Sequence, residues 1–237
     1  MAKHDSESRL PRRSFLSKLG IGLTGTGVAV GTKVSGSQLQ SSAPGRWLPA
    51  RHAQDDWLDE LPGTHRFVVD TMTPEGFGNA LAFLNNYFTA NQNAYGLKDS
   101  DLAVVVVARH NSTPFAYNDA IWAKYSGPIT QRNKFADPKA KQPPTTNLFN
   151  ATGYGDLLTN RGTTLEGLLK RGLRLAVCQV STRGYAGAIA RATGGNAEAV
   201  YNEIVANLVN GNARMVPAGI VAVNRAQERG YSLATIG

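Results

Sequence analysis

The segment Leu102–Ala108 constrains the fold of this chain more than any other, because it contains four consecutive valines and no polar side chain. β-Branched residues favour extended backbone, and successive side chains of a strand point to opposite faces of a sheet. A strand that is apolar at every position is therefore buried on both faces, as the central strands of parallel sheets are. The segment predicts a strand in the middle of a parallel sheet.

Strand and helix patterns alternate around this segment. Short apolar runs bounded by turn residues predict five strands, at residues 66–70, 102–108, 174–180, 214–216 and 232–236. Capping residues and apolar positions at three- and four-residue spacing predict helices at 73–96, 113–125, 163–172, 185–210 and 220–229, with an interruption at Gly194 and Gly195. We predict an α/β fold with a single doubly wound, mainly parallel five-stranded sheet and helices on both faces.

Two segments lie outside this alternation. Residues 54–61 predict a helical turn packed on the domain edge. Residues 126–161 contain four prolines and no hydrophobic period, which predicts an excursion, either an exposed loop or an arm that packs on a neighbouring subunit. Its apolar and aromatic side chains favour a homo-oligomer: Phe135, Leu148, Phe149 and Tyr154.

The N-terminal residues resemble an export signal. Arg12 and Arg13 are followed by Ser-Phe-Leu-Ser-Lys, which resembles the twin-arginine motif, and residues 19–32 carry no charge. As a helix this stretch would span roughly 21 Å, short of the hydrocarbon core of about 30 Å, which indicates a signal segment rather than a membrane span. We predict a signal segment and linker at 1–43, an extension at 44–63, the α/β domain at 64–237, and export of the folded protein to the periplasm. An uncleaved signal would act as a membrane tether.

Charge and cysteine content exclude several classes of protein. The chain has 25 basic and 17 acidic residues, but residues 1–43 hold six of the bases and two of the acids, and the remainder shows no bases interleaved with aromatics. We therefore predict no nucleic-acid partner. One cysteine cannot form a disulfide within the chain or a zinc site of several thiolates. No glycine pattern typical of nucleotide binding occurs, and we predict no cofactor and no metal.

Residues 172–181 place Cys178 near the end of a predicted strand, and residues 213–231 contain the run Val-Pro-Ala-Gly-Ile. Both segments resemble the DsrE-like family. The resemblance covers about residues 64–237 in element order and is most specific in the last third. Residues 108–119 and the export signal resemble an exported branch of that family. The resemblance implies a flavodoxin-like fold, homotrimers or hexamers, and, as in the best-understood relatives, a cysteine that carries sulfur as a persulfide between partners. Those carriers are cytoplasmic and lack the 126–161 excursion.

The candidate catalytic residues are Cys178 and His110, because the carboxyl ends of parallel strands form one edge, where sites collect. Cys178 precedes two good capping residues and Arg183, so that a helix N-terminus and a cation would favour the thiolate needed for nucleophilic or persulfide chemistry. The alternative is a small apolar residue that fills a strand. His110 follows the valine-rich strand and is a candidate base, proton shuttle or ligand; the alternative is a loop anchor.

Three further residues at this edge are candidates for binding. Arg109 and Arg183 suit a small oxyanion such as sulfite or thiosulfate, or alternatively ion pairs at the surface or a subunit interface. Asp70 is a candidate binding residue, a cap, or a solvent-facing acid.

Three functions compete on this basis. The first is a periplasmic protein that handles sulfane sulfur or a small oxyanion through Cys178. The second is a non-catalytic, oligomeric binding or assembly module that holds a ligand or docks on a membrane complex. A third, a flavin-type binder, is suggested by the fold alone. The first two predict a homo-oligomer, trimer or hexamer, and a protein partner in the periplasm or at the membrane.

Overall fold

A sheet of five parallel strands in the order β4-β3-β2-β1-β5 forms the centre of the computed structural model, which describes residues 48–209 and 211–237. The strands are β1 (His65–Thr71), β2 (Leu102–Ala108), β3 (Arg174–Cys178), β4 (Ala213–Val216) and β5 (Ser232–Ile236). Every residue of β2 is buried, and β2 is the middle strand. The predicted α/β fold is confirmed, all strand pairs are parallel, and the arrangement is consistent with a flavodoxin-like fold.

Seven α-helices occur among the described residues: α1 (Trp57–Glu60), α2 (Pro74–Tyr95), α3 (Asp119–Asn133), α4 (Leu165–Lys170), α5 (Gln179–Thr193), α6 (Ala197–Ala206) and α7 (Gly219–Gln227). Local chemistry sets the bounds of α2, since Thr73 Oγ1 accepts a hydrogen bond from the Gly76 N–H at 2.9 Å and Pro74 occupies the first turn. Gly96 ends this helix in the left-handed conformation, with φ of +66°.

Helices cover the two faces of the sheet unequally. The chain moves one strand at a time from β1 to β4 and then crosses back to place β5 at the other edge. Because parallel crossovers are right-handed, reversing direction sends the last helix to the opposite face. The first face packs against α2 to α6, with Val104 and Val106 in its core. The second face packs against α7 and α1, with Val105 and Val107 in its core.

The helix predicted to begin at Thr113 begins later, and that prediction is wrong. Residues His110–Ala116 form a 3-10 helix, and α3 starts at Asp119 with Asn118 as its N-cap. The Asn118 side chain accepts hydrogen bonds from the backbone N–H groups of the first turn at 3.1 and 3.3 Å. Thr113 Oγ1 instead donates to the His110 carbonyl at 3.0 Å. Thr113 and Asn118 are both typical N-cap residues and lie five residues apart, so the local sequence does not distinguish which of them starts the α-helix.

The 126–161 segment differs from its predicted form in two respects. Helix α3 continues to Asn133 through Pro128, with a kink at Tyr125, whose φ and ψ are −125° and 21°. The remainder packs against the core of the same chain, where Phe149 is 1% exposed and its ring centroid lies 4.6 Å from that of Phe115. The aromatic side chains of residues 134–161 therefore form part of the first-face core. The ring centroid of Phe135 lies 5.0 Å from that of Phe115.

The boundary between β3 and α5 is also corrected. β3 was predicted to run to residue 180 and the next helix to start at residue 185, but the strand ends at Cys178 and α5 begins at Gln179. The prediction failed because Val180 extends an apolar run that reads as strand. Its side chain is 66% exposed on the first turn of α5.

Gly78 should not tolerate a side chain, because α2 meets the 134–161 segment there. A Cβ at this position would overlap the Thr159 side chain and lie 2.7 Å from the Phe149 ring. We expect Gly78→Ala to lower the free energy of unfolding by about 1–3 kcal/mol through overpacking, measured by urea denaturation. Gly187→Ala on α5 is the matched control, since the nearest atom to its Cβ position is the end of the Arg191 side chain at 3.5 Å, and it should stabilise by about 0.4–1 kcal/mol. Equal stability of the two variants would contradict the close contact.

Candidate functional site

The strand order creates a crevice at the carboxyl ends of β3 and β4. After β3 the chain leaves toward the first face as α5, and after β4 it leaves toward the second face as α7. Adjacent strands whose connections leave to opposite faces define the topological switch point, where doubly wound proteins bind ligands. Cys178 is the last residue of β3 and pairs with Val216, the last residue of β4. The structure therefore places the single cysteine at the switch point.

Cys178 is also the N-cap of α5. Its Sγ accepts a hydrogen bond from the backbone N–H of Ser181 at 3.4 Å, and the residue is 6% exposed. Ser181 and Thr182, the predicted caps, lie inside the helix. The unpaired N–H groups of a helix N-terminus are donors that a negatively charged group can accept. The geometry suits a nucleophile and equally suits a buried cap.

Arg109 lies beside Cys178. The register of β2 and β3 pairs Ala108 with Val177, and Arg109 continues in extended conformation, so that Arg109 and Cys178 stand opposite each other at a strand spacing of about 4.8 Å. The Arg109 side chain forms a bidentate pair with Asp70, with Nε to Oδ1 at 2.7 Å and Nη2 to Oδ2 at 2.8 Å. The hydrogen bonds to Asp70 raise the pKa of Arg109; burial opposes this increase, and the negative charge of Asp70 adds to it.

Asp70 is thus neither a cap nor a solvent-facing acid. Its side chain is 4% exposed and serves to hold the Arg109 guanidinium. The Nη1 atom of Arg109 has no hydrogen-bond partner among residues 48–209 and 211–237. Gly219 makes room for this arrangement, because a Cβ there would lie 2.6 Å from the Cβ of Arg109.

His110 contributes its backbone rather than its ring to the site. Its carbonyl accepts hydrogen bonds from Ser181 Oγ at 3.2 Å and from Thr113 Oγ1 at 3.0 Å. The residue is exposed and adopts a left-handed φ of +55°, and its imidazole forms no hydrogen bond within the described part of the chain. His110 therefore anchors the first turn of α5 to the end of β2, which matches the loop-anchor alternative.

Arg183 does not join this group. Its guanidinium pairs with Glu198 at 2.8 Å and lies 3.9 Å from the centroid of the Tyr201 ring, so that it links α5 to α6. The sequence places it five residues after Cys178, but a helix turns its side chain toward α6. This arginine forms the ion pair that was the alternative to oxyanion binding.

Sequence reasoning missed a buried hydroxyl pair that supports the site. Ser112 Oγ accepts the Arg109 backbone N–H at 3.0 Å and lies 3.0 Å from Thr71 Oγ1. Both hydroxyl residues are fully buried, and they tie the end of β1 to the turn after β2. Ser112 falls within a run of small polar residues that looks like a loop, so only its burial reveals this role.

Residues 48–209 and 211–237 also bear on metal binding and on membrane crossing. No group of three or more His, Cys, Asp or Glu side chains suited to a metal ion occurs among them. None of their helices combines the length and apolar character that a membrane crossing requires. Arg12 and Arg13 lie outside the described residues.

Comparison with known proteins adds no relative to this picture. No family model, no curated protein and no solved structure matches the chain. The proposals that follow therefore rest on the residues and on the geometry of the site.

Proposed function

We propose that this chain is an exported, periplasmic DsrE-like protein that handles sulfane sulfur through Cys178. The observation that carries the proposal is the position of Cys178, at the switch point of the sheet with its Sγ at the N-terminus of α5. Ligands of doubly wound proteins bind at such crevices, and a helix N-terminus favours the thiolate, which is the nucleophile in sulfur transfer. The resemblance of residues 172–181 and 213–231 to the DsrE-like family supports the same reading.

The transfer step is balanced without an oxidant or a reductant. The Cys178 thiolate attacks the outer sulfur of thiosulfate, a new S–S bond forms, and the S–S bond of thiosulfate breaks. Its electron pair leaves with sulfite, so that a cysteine persulfide anion and sulfite replace a thiolate and thiosulfate. In delivery, the thiolate of an acceptor protein attacks the outer sulfur of the persulfide and releases the Cys178 thiolate.

The side chains around Cys178 have distinct tasks in this proposal. Arg109, fixed by Asp70, directs its remaining N–H donors at the sulfonate of thiosulfate and neutralises the charge that develops on sulfite. Since the exchange itself moves no proton, the transfer step needs no base, and His110 supports the site through its backbone carbonyl. Arg183 takes no part, because Glu198 and Tyr201 engage its guanidinium.

A second function, a non-catalytic oligomeric binding or assembly module, has its own support. Cys178 is only 6% exposed, which fits an inert residue. Apolar side chains are exposed on the first turns of α5 and α7 at the same edge, with Val180 66% and Ile220 59% exposed. Exposed apolar side chains of this kind occur on contact surfaces between proteins.

A mass spectrum of the intact exported protein separates the two functions. After incubation with thiosulfate and removal of the excess, sulfur handling predicts a mass increased by one or more sulfur atoms, localised to the peptide that contains Cys178 and removed by a reducing thiol. The module predicts an unchanged mass. Denatured protein treated in the same way is the control, since it exposes the thiol without the helix N-terminus.

We also propose a homo-oligomer, trimer or hexamer, in both cases. Light scattering of the purified protein at micromolar concentration should give a mass well above the 25.3 kDa of one chain. A monomer at that concentration would contradict the oligomer and weaken the resemblance to the DsrE-like family. It would leave the mass-spectrometric test of Cys178 unaffected.

A further inference from the structure

A cavity lies at the amino end of β3 and β4, the edge of the sheet opposite Cys178. It has a volume of about 430 Å³ and is bounded by α1, by the segment that follows it, and by the first residues of the two strands. Two arginines, Arg174 and Arg214, line it together with Trp57, Glu60 and Pro62. None of these residues takes part in the site around Cys178.

The two arginines share one face of the sheet. Arg214 pairs with Ala176, and Arg174 precedes Ala176 by two residues on the same strand. Side chains two residues apart on a strand, and side chains at paired positions of neighbouring strands, lie on the same face, so that both arginines lie on the second face with Ala176. Strand spacing and rise place their Cα atoms about 8 Å apart. This separation allows both to contact one oxyanion.

Neither arginine is neutralised by an acid. No carboxylate within the described part of the chain lies within 4 Å of either guanidinium group, whereas Arg171, directly after α4, forms a bidentate pair with Asp99 at 2.9 Å. The recorded contacts are with neutral groups: Arg174 donates to Asn212 Oδ1, and Arg214 to the Gln54 carbonyl at 3.5 Å. Neighbouring like charges on a sheet repel each other, which an anion between them would relieve.

The rest of the lining combines apolar side chains with Asn212 and one acid. The Arg214 guanidinium lies 5.9 Å from the centroid of the Trp57 ring, and Leu61 and Pro62 continue the apolar surface. Glu60 is exposed on the rim and forms no ion pair with another described residue, which leaves the cleft with one net positive charge. A pocket of a few hundred Å³ that combines apolar side chains with several polar groups has the make-up of a small-molecule site.

We propose that this cleft binds a small organic anion, with a phosphate or carboxylate group between Arg174 and Arg214 and an apolar part against Trp57 and Pro62. Arginine forks match both oxyanions, and each guanidinium keeps free donors after its recorded contact. The site is independent of sulfur handling, because it lies at the opposite edge of the sheet and uses none of the same side chains.

Isothermal titration calorimetry of the full chain with phenyl phosphate, at fixed ionic strength, tests this site. We expect saturable binding of one molecule per chain, weakened about ten-fold or more by Arg214→Gln and by Arg174→Gln. Arg191→Gln, an exposed arginine of α5 without an ion pair among the described residues, makes the same charge change elsewhere and should leave the affinity unaltered. Benzoate and inorganic phosphate as parallel probes distinguish the carboxylate from the phosphate and show what the apolar wall contributes.

Glu60→Gln is a second test, because a folding defect would weaken the binding of phenyl phosphate whereas this substitution is expected to strengthen it. Removing this rim carboxylate should tighten the binding of phenyl phosphate severalfold, because it removes a repulsive charge at an exposed position. The proposal is overturned by the absence of saturable binding of all three probes, by equal weakening in Arg191→Gln, or by weaker binding in Glu60→Gln.

Discussion

Replacing Cys178 with serine should abolish the loading of sulfur from thiosulfate while leaving the fold intact. A hydroxyl is not ionised at neutral pH and cannot form the persulfide, so the mass increase should vanish completely. Serine is a good N-cap, and its Oγ can accept the Ser181 N–H that Sγ accepts now. We therefore expect the free energy of unfolding to change by about 1 kcal/mol or less, measured by urea denaturation.

The rate of alkylation by iodoacetamide tests the reactivity of Cys178 independently of sulfur loading. The sulfur-handling proposal predicts that Cys178 is alkylated in the folded protein, at a rate that rises as the thiolate forms, and that Arg109→Gln slows alkylation by removing the adjacent cation. Arg183→Gln is the matched control, because that guanidinium is engaged by Glu198. If the native thiol resists alkylation until denaturant is added, the sulfur proposal fails and the binding module remains.

Changing Arg12 and Arg13 together to lysine should leave the protein in the cytoplasm. The twin-arginine receptor is expected to read the planar guanidinium pair rather than positive charge alone, and lysine keeps the charge but loses the fork of donors. Fractionation of producing cells should show periplasmic protein falling to near background. Arg9→Lys is the matched control, since it makes the same chemical change outside the pair.

Unchanged periplasmic yield of the double variant would contradict the export proposal. It would not bear on Cys178, because residues 64–237 contain the whole sheet and the site at its edge. Export and sulfur handling are therefore tested independently of each other.

Several features of the fold could be read from the sequence because they depend on neighbouring residues alone. The four valines predicted β2 with its bounds as found, since a strand that is apolar at every position requires cover on both faces. The Thr73 cap with Pro74 predicted the start of α2, because the hydrogen bond that starts the helix spans three residues. The alternation of these elements predicted a doubly wound sheet.

The sequence also predicted which residues would share an edge, but not what each would do there. It placed Asp70, Arg109 and Cys178 at strand ends, where the structure confirms them. The bidentate pair of Asp70 with Arg109 depends on β1 lying beside β2, and the engagement of Arg183 by Glu198 depends on how α5 packs against α6. Ion pairs between residues far apart in the chain carry no local signal.

The kinds of element, the location of most of them and the single thiol follow from local sequence. The strand order depends on the folded chain, and with it the crevice that places Cys178 at the point where α5 and α7 leave to opposite faces. The place of the aromatic side chains of 134–161 in the first-face core also depends on the folded chain. The physical reason is that hydrophobic period and caps act within a few residues, whereas strand order and packing minimise the free energy of contacts between distant parts of the chain.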